Sequence, residues 1–235
     1  MIRLFIAQPL SKTTQILLND KQNHYLLHVM RCKAGDEILC FNGQDGEWLC
    51  LLQMKTKKQI CPTVTKQIRP QTNQHFCALC PALIKKDNMD FVLQKATELG
   101  VTDIYPLITD RTVHPHFNQE HARLIVQEAS EQCERLTIPI IHPPVSLTQV
   151  HKLLPKSCIC YYLAERAHDT QGLPAQGNLA FFVGPEGGWS LEEISFFEKN
   201  TYHPLHFSIG ILRAETACIA ILACWQIGRE ICIKK

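Results

Sequence analysis

The chain has 235 residues, of which 46% are hydrophobic and 20% charged, with a formal net charge of +2 at pH 7. That length leaves room for one large core or two smaller ones, and the composition is ordinary for a soluble globular protein. No apolar run reaches the roughly 18 residues of a membrane helix, and the opening MIRLFIAQPLSKTT has neither the apolar length nor the cleavage site of a secretory signal, so a cytoplasmic location is expected.

Residues 1–70 read as short strands. MIRLFIA is strand-like, and HYLLHVMR is the one helical stretch. EILCFNGQDGEWLCLLQM has the pattern of a hairpin, two apolar runs around the turn formers Asn42-Gly43 and Asp45-Gly46. ICPTVTKQI follows, rich in β-branched residues, and the polar RPQTNQ at 69–74 reads as a linker. Several short strands with one helix predict a small β-barrel over 1–70. This part holds ten Lys and Arg against five Asp and Glu, whereas the rest holds 14 against 17. A basic module beside a mildly acidic body fits a nucleic-acid-binding domain attached to a catalytic one.

From residue 75 strands and helices alternate, which predicts an α/β domain with a mainly parallel sheet over 75–235. FCALCPALI is the first strand, and Asp87 is the expected cap of a helix whose Met89, Val92, Leu93, Ala96 and Leu99 share one face before Gly100 ends it. DIYPLIT is the next strand. Asn118 opens a long helix with Ala122, Ile125, Ala129 and Cys133 inward. CICYYLA and LAFFV are the apolar strands of a sheet covered on both faces. Ser190 and Glu193 form a capping box, and a last helix runs from about Ala214 towards Gly228. The twelve cysteines read as reduced, buried thiols. Cys77-x-x-Cys80 lies in an apolar strand, and the pairs His24/His28 and His114/His116 lack further ligands, so no metal is expected.

Four segments carry candidate chemistry. In LAFFVGPEGGWSLEEI a buried strand runs into Gly184, Pro185, Glu186, Gly187 and Gly188 before a capped helix, so backbone N–H groups can approach a ligand at the carboxyl edge of a sheet. The loop is neither a P-loop nor a G-x-G-x-x-G turn. In IGILRAETACIAIL, Arg213, Glu215 and Thr216 gather at a helix start. In residues 85–113, Gln94, Lys95 and Glu98 form a polar helix face, either a solvated surface with a Lys95–Asp90 type of pair or a surface facing RNA and a second subunit. In QEASEQCERLTIP, Glu128, Glu131, Gln132 and Arg135 lie near one face, by default a salt-bridged one.

Taken together, HYLLHVMRCKAGDEI, QKATELGV, EASEQCER, GPEGG and LRAET, in this order, resemble the RsmE family of the SPOUT superfamily, whose members methylate N3 of a uridine in 16S ribosomal RNA. The resemblance runs from residue 1 to about 228. It implies a PUA-like RNA-binding barrel, an α/β trefoil knot of a kind almost absent elsewhere, and a homodimer that completes a site for S-adenosylmethionine. By the same resemblance, the cofactor is held by Gly184, Pro185, Glu186, Gly187 and Gly188 together with Ile209, Gly210, Ile211, Leu212, Thr216 and Ala217. Arg3, Arg31, Lys85, Lys95, Arg111 and Arg135 are the expected RNA contacts. The stretch Phe207 to Arg213 departs from the L-G-x-R-I-L-R of related sequences and lacks one of its arginines, which leaves Arg213 as the main cation there.

Uracil N3 must lose a proton before it can attack a methyl group, so a positioned cation should favour the anion, and Arg213 is the expected one. Glu215 is the candidate to orient Arg213 or accept the proton, with Glu186 the weaker alternative. A ribose 2′-hydroxyl, a tRNA base, or a non-catalytic RNA-binding role stay open at this point.

Overall fold

The computed structural model describes residues 1–56, 59–164, 173–174, 176–207 and 210–233, with side chains as far as residue 229. Two units emerge, one of Met1–Asn73 with Ser130–Ile138, the other of Gln74–Ala129 with Pro139–Lys235.

The first unit holds β1 (Arg3–Phe5), a short helix α1 (Asp20–His24) that runs on into a π-helical turn at Tyr25–Val29, β2 (Glu37–Phe41), β3 (Glu47–Thr56) and β4 (Gln59–Arg69). The four strands lie in the order β1-β2-β3-β4, with β1 parallel to β2 and the other ladders antiparallel. The hairpin turn forms because the Asn42 side-chain oxygen accepts from the backbone N–H groups of Gln44 and Asp45. Gly46 has a φ of +81°, and a Cβ there would stand 2.3 Å from the Arg69 carbonyl oxygen, so only glycine fits. Leu4, Ile6, Leu26, Ile38, Leu52 and Val64 build the core of this unit.

Arg3 is not a phosphate contact, and the expectation drawn from the sequence is corrected here. Its side chain is buried, with Nε donating to Glu47 Oε1 at 2.5 Å and Nη1 to the Ser130 carbonyl at 2.7 Å. Nη2 donates to the Arg135 carbonyl, and the guanidinium lies 3.8 Å from the centre of the Phe41 ring. Arg69 closes the cluster, its Nε 2.8 Å from Glu47 Oε2 and its Nη2 on the Glu134 carbonyl at 2.8 Å. The Phe5 N–H adds a bond to Glu131 Oε1 at 2.9 Å. These contacts explain why Ser130–Ile138 joins the first unit although the sequence changes pattern only once, near residue 70.

The second unit contains β5 (Cys77–Pro81), α2 (Lys86–Glu98), β6 (Asp103–Ile104), α3 (Gln119–Gln132, whose last residues pass into the first unit), β7 (Ile140–Ile141) and α4 (Leu147–Leu153). There follow β8 (Cys158–Leu163), β9 (Asn178–Val183), α5 (Leu191–Lys199), β10 (His203–Leu205) and α6 (Ala214–Ile233). The strands form one parallel sheet in the order β10-β8-β9-β5-β6-β7. This is the α/β class that the alternating pattern predicts. Helix α2 starts two residues earlier than expected: Lys85 is its N-cap without a side-chain bond, and Asp87 sits in the first turn, where a carboxylate suits the helix dipole. Lys95 pairs with Glu98 at 2.8 Å, not with Asp90, which takes Lys86 and His121 at 2.9 Å each. DIYPLIT contributes only Asp103–Ile104 as strand, since Pro106 cannot donate to the ladder.

Burial pushes the Glu47 carboxyl up, but the hydrogen bonds from Arg69 and Arg3 outweigh it and hold the group below its ordinary value. A lowered folded pKa means stabilisation that is present above the usual carboxylate range and is lost as pH falls through the folded value. Glu47→Gln leaves the Arg3 charge buried and unpaired, which should cost ~3–5 kcal/mol. Urea denaturation at neutral pH should show this loss, shrinking as the wild type is acidified. Equal midpoints for the two proteins at neutral pH would show that the cluster does not stabilise the unit.

Candidate functional site

The carboxyl ends of β8, β9 and β10 lie on one edge of the sheet, and the Ala164 N–H extends the β8–β10 pairing to the Leu205 carbonyl at 2.8 Å. Strand β9 inserts between β8 and β5, so the strand order reverses here. Ligands of open α/β sheets bind outside the carboxyl ends at such a point. A cavity of about 800 Å³ opens there. Its walls are Leu163 and Ala164 after β8, residues 184–189 after β9, residues 204–207 around the end of β10, and residues 210–214 with Ala217 at the start of α6.

Trp189 is the post of this site. It is 8% exposed, its Nε1 donates to the Leu163 carbonyl at 2.8 Å, and its indole meets Phe197 edge-on at 4.9 Å between ring centres. A Cβ on residue 184 would lie 3.1 Å from the indole Cε2, tighter than ordinary side-chain contact, so Gly184 lets the loop close over the ring. The loop is held from its other side as well. Arg111 Nη1 donates to the Gly187 carbonyl at 2.6 Å, and the Arg111 side chain is where a Cβ on residue 187 would touch. The 109–112 turn that carries Arg111 is fastened to the start of α5. Ser190 Oγ donates to Asp110 Oδ2 at 2.5 Å, and the Asp110 N–H donates to Glu193 Oε1 at 3.1 Å. Glu193 also completes the capping box with Ser190, as the sequence pattern predicts.

Gly184, Pro185, Glu186, Gly187, Gly188, Gly210, Ile211, Leu212, Arg213 and Ala217 therefore meet around one cavity. Ile209 lies outside the described residues. Arg213 lines the cavity and is exposed, and among the described residues its guanidinium carries no hydrogen bond or ion pair. Glu215 and Thr216, which the sequence pattern placed in the site, do not line it. Glu215 makes no ion pair with Arg213 among the described residues, and its Oε2 is buried without a donor there. The sequence reading missed Leu163, Trp189, Glu198, His206 and the part of Arg111 in the site. Leu163 is the last residue of the apolar strand β8 and His206 follows directly on β10, so the strand ends were the signal for both.

Arg31 is exposed at a φ of +55°, Lys85 is exposed, and Lys95 is half-buried on α2. Arg135 is half-buried, with Nη2 3.4 Å from Thr137 Oγ1. Among the described residues no group of three or more His, Cys, Asp or Glu could hold a metal ion, and no helix is long and apolar enough to cross a membrane.

Comparison with known proteins finds two families along the chain. The family described as RNA methyltransferase domain matches residues 71–226, and that described as RNA methyltransferase PUA domain matches residues 18–61. A ribosomal RNA small subunit methyltransferase E from Rickettsia conorii is 31% identical over 94% of this chain and 93% of its own length. One from Synechocystis sp. is 32% identical over 94% of this chain and 76% of its own. The crystal structure of a ribosomal RNA small subunit methyltransferase E from Neisseria gonorrhoeae, bound to S-adenosyl methionine, is similar with a TM-score of 0.88 and 26% identity over 97% of both chains.

Gly184→Ala should push the indole of Trp189 aside and strain its bond to Leu163. Overpacking of this kind costs ~1–3 kcal/mol. Trp189→Phe removes the clash, so thermal unfolding of the single and double variants should reveal a coupling well above the ~0.5 kcal/mol of independent sites. Additive effects would mean that the glycine and the indole do not constrain one another.

Proposed function

The chain belongs to the RNA methyltransferase family of the ribosomal RNA small subunit methyltransferases E, and on that premise we propose that it methylates N3 of a uridine in 16S ribosomal RNA, with S-adenosylmethionine as donor. The observation that carries this reading is the free Arg213 guanidinium at a glycine-walled cavity on the carboxyl edge of a parallel sheet. The cavity suits the donor: about 800 Å³ is within the roughly 300–1,000 Å³ of small-molecule sites. Gly184 and Gly187 line the cavity without side chains of their own, and Leu163, Val183, Ile211 and Leu212 supply apolar walls for an adenine ring.

When bound, the donor supplies an electrophilic methyl group on a sulfonium. The remaining work falls to the chain. Arg213 stays protonated and offers forked donors, so it favours the uracil anion and positions its carbonyl oxygens. With Glu215 turned away, the proton acceptors lining the cavity are Glu186, Glu198 and His206. Trp189 and the apolar strand ends exclude water from the reacting atoms. Arg31, Lys85, Lys95, Arg111 and Arg135 are the cations we assign to RNA, and Arg111 also fixes the Gly187 carbonyl. The same reading includes the trefoil-knot threading of the second unit, a cytoplasmic protein and a homodimer. Exposed Phe91, Leu124 and Ile227 on α2, α3 and α6 support the dimer, since large apolar side chains in water favour association.

Incubation of bare small subunits with labelled donor and the protein should yield 3-methyluridine on nucleoside analysis. Label in a ribose 2′-O-methyl group, or none, would overturn the acceptor. Arg213→Ala should lose about a hundredfold in single-turnover rate, the ~3 kcal/mol of one preorganised donor, while donor affinity changes little. Arg213→Lys should keep part of the activity, since it retains the charge and loses the fork. A rate for Arg213→Ala within about twofold of wild type would remove Arg213 from this role.

A further inference from the structure

A second cavity, of about 580 Å³, opens at the opposite, amino-terminal edge of the sheet. Its lining includes His151, Lys152, Lys156 and His203 and no carboxylate side chain. Beside these basic side chains stand two thiols, Cys158 and Cys160, and the phenol of Tyr202. Residues two apart on a strand face the same side, so the two sulfurs are neighbours by the geometry of β8. Tyr202 is buried, and its hydroxyl lies 2.9 Å from Nδ1 of His151. None of these groups has work in methyl transfer.

We propose that this cavity is a thiol-modification site, in which Cys160 forms a mixed disulfide with a small anionic disulfide of the glutathione type. The sulfur of Cys160, as thiolate, attacks one sulfur of the incoming disulfide. The old S–S bond breaks, a bond to Cys160 Sγ forms, and the second half departs as a thiolate that takes a proton from water. The incoming disulfide is the only oxidant required. Lys152 and Lys156 recognise its carboxylates, and a cavity lined by one sign of charge concentrates the opposite sign.

The surroundings select Cys160 as the nucleophile. A hydrogen bond from Cys158 lowers its pKa, burial opposes this, and a hydrogen bond from Tyr202 lowers it further. The Cys158 thiol is pushed up, first by its hydrogen bond to Cys160 and then by burial, so of the two Cys160 is the more readily deprotonated. Cys40 and Cys50 also share a hydrogen bond, but both are fully buried and that contact, with burial, holds the Cys40 thiol well up. Cys224 is exposed without such partners and competes only as an ordinary surface thiol.

The test uses the reduced, full-length protein carrying Cys224→Ser. It is exposed separately to glutathione disulfide, which is anionic, and to cystamine, which is cationic, at low salt. Each rate is divided by that reagent's rate with a free cysteine peptide. Peptide mapping at early times should place one glutathionyl group at Cys160. The corrected rate with glutathione disulfide should exceed that with cystamine roughly tenfold, and the advantage should vanish in Lys152→Glu/Lys156→Glu or at high salt. Cys160→Ser should abolish the fast reaction. If that variant does not fold, the lysine double variant still decides. Equal corrected rates for the two disulfides, or first labelling at the half-buried Cys61 or Cys133, would overturn the proposal.

Discussion

The indole of Trp189 is the fixed point on which the methyl-donor site depends. One buried hydrogen bond, to the carbonyl of Leu163, ties the loop after β9 to the end of β8. The flat ring then sets how close the chain at residue 184 must pass, and only a residue without a Cβ passes at that distance unstrained. A buried indole N–H without an acceptor would cost more than the bond contributes, so the ring, the strand end and the loop hold one arrangement. The capping box of α5 works in the same direction. Its Glu193 satisfies the Ser190 N–H and also the Asp110 N–H, and through that second bond the Arg111 turn is held against the Gly187 carbonyl. A helix start thus becomes the frame of a ligand loop.

The first unit relies on a different device, a buried ionic cluster. Glu47 accepts from both Arg3 and Arg69, and the arginines spend their other donors on backbone carbonyls of the segment after α3. A cluster of this kind contributes little net stability compared with a well-packed apolar one, but breaking it is costly because a charge is left without a partner. Its function in the fold is to fix which distant segment completes the unit. The stacking of the Arg3 guanidinium on Phe41 adds a planar contact that lysine would not reproduce.

What could be read from the sequence divides along the range of the interactions. The Ser190–Glu193 box, the Asn42 turn and the glycine-rich loop are set by residues within four positions of one another, and their patterns were legible. The strands of the parallel sheet were legible because they are apolar on both faces. Arg3 was not, since its carbonyl acceptors lie 127 and 132 residues away, and a basic residue in a basic segment looks like a phosphate contact. Trp189 stood in plain view beside the glycines, yet its partner Leu163 is 26 positions distant. Glu215 and Thr216 were drawn into the site by adjacency to Arg213, yet neither lines the cavity. The second cavity escaped notice because Cys158 and Cys160 read as core thiols in an apolar strand, and the lysines and histidines around them come from α4 and β10 and the turns beside them.

Hydrogen exchange with and without S-adenosylmethionine tests the placement of the donor most directly, because it reports on every loop at once and needs no RNA. The expected result is slowed exchange confined to peptides that contain residues 163–164, 184–189 and 205–217, with the peptides of 1–70 unchanged. Protection centred on residues 151–160 and 200–203 instead, or no protection at saturating donor, would contradict the assignment of the cavity at the carboxyl edge.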